Sequence, residues 1–170
     1  APAGRRRFVV SGTQTGMLKD LDASHYSIVD SYDAESNRVV AEGPVRPSSE
    51  SLTHGVVYDL EPSIQVVLHV HSPDIWQQAA ALKLPVTDPA AAYGTPAMAA
   101  GVRRLFQTSG TGRSGIFSMG GHLDGIVSYG ASAAEAGSVL LQTLAAALAA
   151  RQKHGSQTNG KQESDSYGQR

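Results

Sequence analysis

Two spacings of apolar residues run along this chain. Arg7 to Ser11 (RFVVS), Tyr26 to Asp30 (YSIVD) and Arg38 to Ala41 (RVVA) are short runs rich in β-branched residues and bounded by turn formers, and each predicts a strand. Asp33 to Asn37 is the turn that makes a hairpin of the second and third. Val66-Val67-Leu68 predicts a buried strand ending in His69-Val70-His71. Ile116 to Met119 and Gly125 to Gly130 read as two strands, or one bent strand, around Gly120-Gly-His-Leu-Asp-Gly125.

Helical spacing alternates with these runs. Leu52, Val56, Val57 and Leu60 form the apolar side of a helix from Ser49 to Tyr58, with Ser48 or Ser49 as its cap. Ser72-Pro73-Asp74 opens a second helix running through Ile75, Trp76, Ala79 and Ala80 to Leu82. A Pro- and Ala-rich connector, Lys83 to Tyr93, leads to Thr95-Pro96 and a helix carrying Met98, Val102, Leu105 and Phe106. Ser132 caps a last helix, Ala133 to about Lys153, with Leu140, Leu141, Leu144 and Leu148 along it. Strands and helices interspersed around at least one hairpin imply an α/β fold with a mixed sheet covered by helices. Residues 1–153 make one domain, and 154–170, almost without apolar residues, are expected to be a disordered polar tail.

Composition narrows the possible functions. The 170 residues suit a single domain with a sizeable core, and a formal net charge of −1 draws the chain toward neither nucleic acid nor anionic membrane. Few aromatics argue against a stacking platform for single strands. The absence of cysteine excludes disulfides, thiolate metal sites and Cys nucleophiles, and it is compatible with the cytoplasm. No uninterrupted apolar run reaches the ~18 residues needed to span a bilayer. Arg5 to Arg7 have no apolar signal-peptide stretch behind them and read as a solvated edge.

The chemistry lies in a few residues. Residues two apart on a strand face the same side, so His69 and His71 project together and can hold one metal ion. Glu50, at the start of the first helix, could add a carboxylate. His122 and Asp124 are a second i, i+2 pair, and either could close the site. Any metal must use His, Asp, Glu or water. Ser11-Gly-Thr-Gln-Thr-Gly16 is a turn whose amides and hydroxyls could meet an anion, but it lacks the Gly-Lys-Ser/Thr ending of a Walker loop. Arg103, Arg104 and Arg113 could answer a phosphate or carboxylate, and His25 and His54 read as structural.

Pro47-Ser-Ser-Glu50, His54 and His69-Val-His71 together resemble the signature of the class II aldolase/adducin family. Phe8 to Gly16, Ser27 to Asp30, Asp124 to Gly130 and the helix carrying Glu135-Ala136 resemble its further elements, so the likeness covers about residues 7–152. It implies a three-layer α/β/α fold, a homotetramer, and a divalent metal, usually zinc, held by three His. By position, His69 and His71 are two ligands and Glu50 is the acid/base. Ser48, Ser49, Thr15 and Gly16 match positions that hold a substrate phosphate.

The chain departs from the family pattern in four places. Asp124 stands where the family has its third His, and His122, two residues earlier, is preferred here because imidazole preserves the ligand set. The family's first helical segment and Gly-Asn loop have no counterpart, so the chain reads as an N-terminally short member. Ala90 lies near the place of the tyrosine that assists aldol cleavage, with Tyr93 three residues on. The polar tail is also unlike the family's C-terminus. The expected activity is that of a metal-dependent lyase acting on a small hydroxycarbonyl, sugar-like compound through its enediolate. The alternatives are a non-catalytic, adducin-like assembly domain and a dehydratase.

Overall fold

The computed structural model describes residues 2–109 and 112–165. Strands β1 (Phe8–Ser11), β2 (Tyr26–Asp33) and β3 (Arg38–Glu42) precede helix α1 (Ser51–Leu60). Strand β4 (Val66–His71), helices α2 (Pro73–Gln77) and α3 (Pro96–Thr108), strands β5 (Gly115–Ser118) and β6 (Gly125–Gly130) and helix α4 (Ala133–Asp165) complete the order.

The strands form two three-stranded sheets, β1-β2-β3 and β4-β6-β5, and every strand ladder is antiparallel. The single mixed sheet expected from the sequence is therefore corrected. The reason is connection length: β2–β3 and β5–β6 are joined by short turns, which can only return the chain antiparallel. Parallel pairing among the described residues is limited to an isolated bridge, Val86 to Ser118.

Period-2 alternation sorts the second sheet's side chains. Val67, Phe117, Val127 and Tyr129 face a core shared with Val56 and Val57 of α1 and Met98 and Val102 of α3. Val70, Ile116 and Ile126 pack on Ile75 of α2 and Leu140, Leu144 and Ala147 of α4. His69 and His71 have the parity of Val67, so the strand aims them toward α1. In the first sheet the register shifts between Val29 and Ser31. This bulge puts Tyr32, not Ser31, beside Val10, Val29 and Leu52, and it carries β2 past the Asp30 boundary expected from the pattern.

Helix α1 is buried around its circumference, including Thr53, His54 and Gly55. Gly55 is required there: a Cβ would lie 2.6 Å from the Tyr32 ring, whose hydroxyl donates to the Gly55 carbonyl at 2.8 Å. The helix begins at Ser51 with Glu50 as its cap residue, so the expected serine cap moves inward. Ser48 instead closes the preceding turn, its carbonyl accepting from the Ser51 amide at 3.1 Å and its hydroxyl from the Glu50 amide at 3.2 Å.

Two helices differ in length from the pattern. Helix α2 stops at Gln77 instead of Leu82; turns follow, and Leu82 and Leu84 both pack into the small core around Ile75 and Ile126. Helix α4 continues to Asp165, past Lys153 and into the segment expected to be a disordered tail, since extending a helix adds a hydrogen bond per residue once a nucleus exists. Residues 166–170 of that expected tail lie outside the described residues. Within α4, Ala133–Lys153 spans 21 residues and contains an 18-residue window of mean hydropathy 1.4, long and apolar enough to cross a membrane by length and composition. The absence of an unbroken apolar run missed this because alanines carry the average. One face of the helix nevertheless lies on β4, β5 and β6.

Candidate metal centre

Strand β4 delivers His69 and His71 at its C-terminal end, where the register sets them opposite Val127 and Gly125 of β6. The chain between β5 and β6 folds back over that end. Its turn is pinned by Met119 N–H to Gly125 O (2.8 Å), His122 N–H to Met119 O (3.1 Å) and Gly125 N–H to His122 O (2.9 Å). The Ser72 amide donates to Asp124 O at 2.8 Å and the Trp76 indole to Met119 O at 3.1 Å, tying the turn to α2. A Cβ at Gly125 would lie 3.0 Å from the His122 ring, so glycine there makes room for the imidazole.

These constraints bring three imidazoles together. The ligand nitrogens of His69, His71 and His122 all lie within 4.8 Å of one another. Ring centroids are 5.1 Å apart for His69–His71, 5.0 Å for His69–His122 and 4.7 Å for His71–His122. Asp124 is not part of this group; it occupies the turn in a left-handed conformation, φ 61°. Of the two candidates for a third donor, it is His122 that lies with His69 and His71.

Glu50 enters from the start of α1, only 1% exposed. Its Oε2 accepts from the Thr53 hydroxyl at 2.9 Å, and its Oε1 lies 3.6 Å from His122 Nδ1. A helix N-terminus ordinarily favours a carboxylate. Here burial dominates and pushes the Glu50 carboxyl up, with the Thr53 hydrogen bond opposing it. Burial first, then the neighbouring imidazoles, holds His69 down to about 3; burial and His71 also lower His122. Glu50 Oε1, His69 Nδ1 and His122 Nδ1 are buried with no hydrogen-bond partner among the described residues. Unpaired buried donors and acceptors are costly. Neutral imidazoles with converging unpaired nitrogens are the form that a divalent ion binds, so the residues present fit the metal.

A cleft of about 800 Å³, connected to the imidazoles through Tyr93, is lined by Arg46, Ser48, Ser49, Thr13, Tyr93 and Gly94, among others. The Gly12 bridge to Pro47 and the Thr13 amide to Arg46 O (2.9 Å) hold the Gly/Thr turn against the serine loop. Thr13 is the residue of that turn that lines the cleft; the Thr15 hydroxyl donates to Gly12 O at 2.8 Å, and Gly16 faces open space. Tyr93 lines the cleft and also stacks on His122, with ring centroids 4.4 Å apart at 25°. Spacing offered no signal for that contact. His54 is buried and stacked with Phe8, and its imidazole is held down to about 4 by burial; His25 closes a capping box with Asp22. Arg103 lies on another face, lining a separate cavity with Tyr32 and Asp59.

Fold and site together define an α/β domain with a three-imidazole centre and a buried carboxylate. The chain belongs to the class II aldolase and adducin family, matching the family's N-terminal domain over residues 4–161. Among solved structures it is similar to an L-fuculose 1-phosphate aldolase at 18% sequence identity and a TM-score of 0.63, over 86% of this chain and 71% of that one. At that identity the likeness establishes the fold. No curated protein sequence matches the chain.

Proposed function

We propose that this chain is a metal-dependent lyase of the class II aldolase type, acting on a small hydroxycarbonyl, sugar-like substrate. The observation that carries the reading is the convergence of His69, His71 and His122 beside buried Glu50. The three imidazoles would hold a divalent ion, with zinc the expected metal for an all-nitrogen set. When bound, such an ion acts as a Lewis acid toward carbonyl and hydroxyl oxygens and favours the enediolate.

The chain's own residues do the rest. Glu50 Oε1 has no hydrogen-bond partner among the described residues and faces the imidazoles, while Thr53 holds Oε2; Oε1 is therefore the atom that takes and returns the substrate proton. A carboxyl pushed up by burial is better matched to proton transfer near neutral pH than an exposed one. The cleft lined by Thr13, Arg46, Ser48 and Ser49 offers hydroxyls and a guanidinium for the distal end of the substrate. Family resemblance further supports a helix-covered, three-layer arrangement and a homotetramer as parts of the same proposal; a cytoplasmic location is proposed alongside them.

The test is metal content and turnover of the purified full chain. About one zinc per chain, together with aldol cleavage of a hydroxycarbonyl sugar or its phosphate, is the expected result. A folded protein that takes up no divalent metal when zinc is supplied overturns the lyase reading and leaves an adducin-like assembly domain.

A further inference from the structure

His69 and His71 are fixed by a strand, whereas His122 hangs from a turn. The groups around a metal-binding imidazole set its ring orientation. Against the His122 ring the structure places the ring of Tyr93. We propose that Tyr93 is a positioning residue of the metal centre: its ring, stacked on His122, holds that imidazole in the orientation that completes the three-nitrogen set.

The connector before α3 is built to deliver that ring. At Gly121 a Cβ would lie 1.8 Å from Ala91 O, and at Gly120 it would lie 2.3 Å from Thr87 O, so only glycines let the connector lie this close to the turn that carries His122. The Gly120 amide donates to the Thr87 hydroxyl at 3.0 Å. The Thr87 amide donates to Ser118 O at 3.0 Å, and the Ser118 amide to Pro85 O at 2.9 Å. The connector is thus clamped to the same segment that bears His122. Gly94, with φ +64°, then turns the chain beside Ser49 O, 3.3 Å from where its Cβ would be. Tyr93 is left 52% exposed, one face on the imidazole. Burial alone does not explain an aromatic ring kept in this position, but a need to hold His122 does.

The inference rests on the metal-site reading above, and one experiment separates the two. Zinc affinity of the purified full chain is measured by chelator competition for wild type, Tyr93→Phe and Tyr93→Ala, alongside the visible spectrum of the cobalt-loaded forms and thermal unfolding of the metal-free forms. Tyr93→Ala is expected to bind zinc about tenfold more weakly and to shift the cobalt spectrum, the low end of what ligand-orienting partners contribute. Tyr93→Phe, which keeps the stack, is expected to match wild type, and metal-free unfolding is expected to be unchanged in both. Should the alanine variant unfold, Tyr93→Leu, with bulk but no ring, repeats the test. Equal zinc affinity in wild type and Tyr93→Ala overturns the positioning role and leaves the metal centre standing. Equal loss in Tyr93→Phe and Tyr93→Ala overturns the stack in favour of the hydroxyl. A wild type that binds no zinc overturns the metal-site reading, and this inference with it.

Discussion

Glu50 and His122 face one another at 3.6 Å, Oε1 to Nδ1, yet burial drives the carboxyl up and the imidazole down, away from the charges that would make them an ion pair. Under the function proposed above, the contact is that of a proton carrier beside a metal ligand. Glu50→Gln keeps the shape and removes the transferable proton. Steady-state kinetics should show turnover falling by roughly 10²–10⁴-fold, the usual contribution of a positioned acid/base. Zinc content of the same variant should stay at the wild-type level.

His69→Ala and His122→Ala should each abolish tight zinc binding, because removing either breaks the three-nitrogen set. Elemental analysis checks the content. Thermal unfolding offers a second readout, since zinc at a hundredfold excess over its dissociation constant should stabilise wild type by about 2.7 kcal/mol and neither variant.

Asp124 separates the rival third ligands. Its φ of 61° is a conformation that glycine adopts without strain. Asp124→Gly should therefore retain zinc and unfold at the same or a higher denaturant concentration, a gain of up to about 1 kcal/mol. Loss of zinc in this variant would return Asp124 to the ligand set.

His54 predicts acid sensitivity from a buried imidazole outside the three-imidazole group. Its folded value, about 4, lies below the unfolded value of 6.5, so between those pH values the unfolded chain binds the proton and the folded one does not. The stability associated with His54 is thus complete above pH 6.5 and is lost as pH falls toward 4, by roughly 3 kcal/mol in total. Denaturant unfolding of metal-free protein across that window should show the decline, to which the lowered His69 and His122 add, and His54→Leu should make it shallower than in wild type.

Gly121→Ala tests the clamp on the connector. With a Cβ placed 1.8 Å from Ala91 O, backbone must shift, and a loss of about 1–3 kcal/mol is expected in chemical unfolding. Gly137→Ala, where no atom lies within 4 Å, should leave stability unchanged or slightly raised and serves as the control.

The strand that carries the chemistry was legible in the chain. Valines and leucine before His69 mark β4, and period two alone puts His69 and His71 on one face. Helix starts behind Ser72-Pro73 and Thr95-Pro96 were equally local signals, read from caps that the structure retains. The sequence determined these because spacing along a regular element fixes direction without reference to any other part of the chain.

Tertiary structure alone decided the rest. Whether His122 or Asp124 joins the imidazoles depends on the β4–β6 register and on a turn tied to Met119, Ser72 and Trp76. The approach of Glu50 depends on α1 packing over the face that Val67 shares with His69. Tyr93 reaches His122 only because Gly120 and Gly121 admit the connector. The same holds for the all-antiparallel sheets and for the turns after α2 that bring Leu82 and Leu84 to one small core. Each is a contact between residues far apart in the chain, and periodicity carries no information about which distant surfaces will meet.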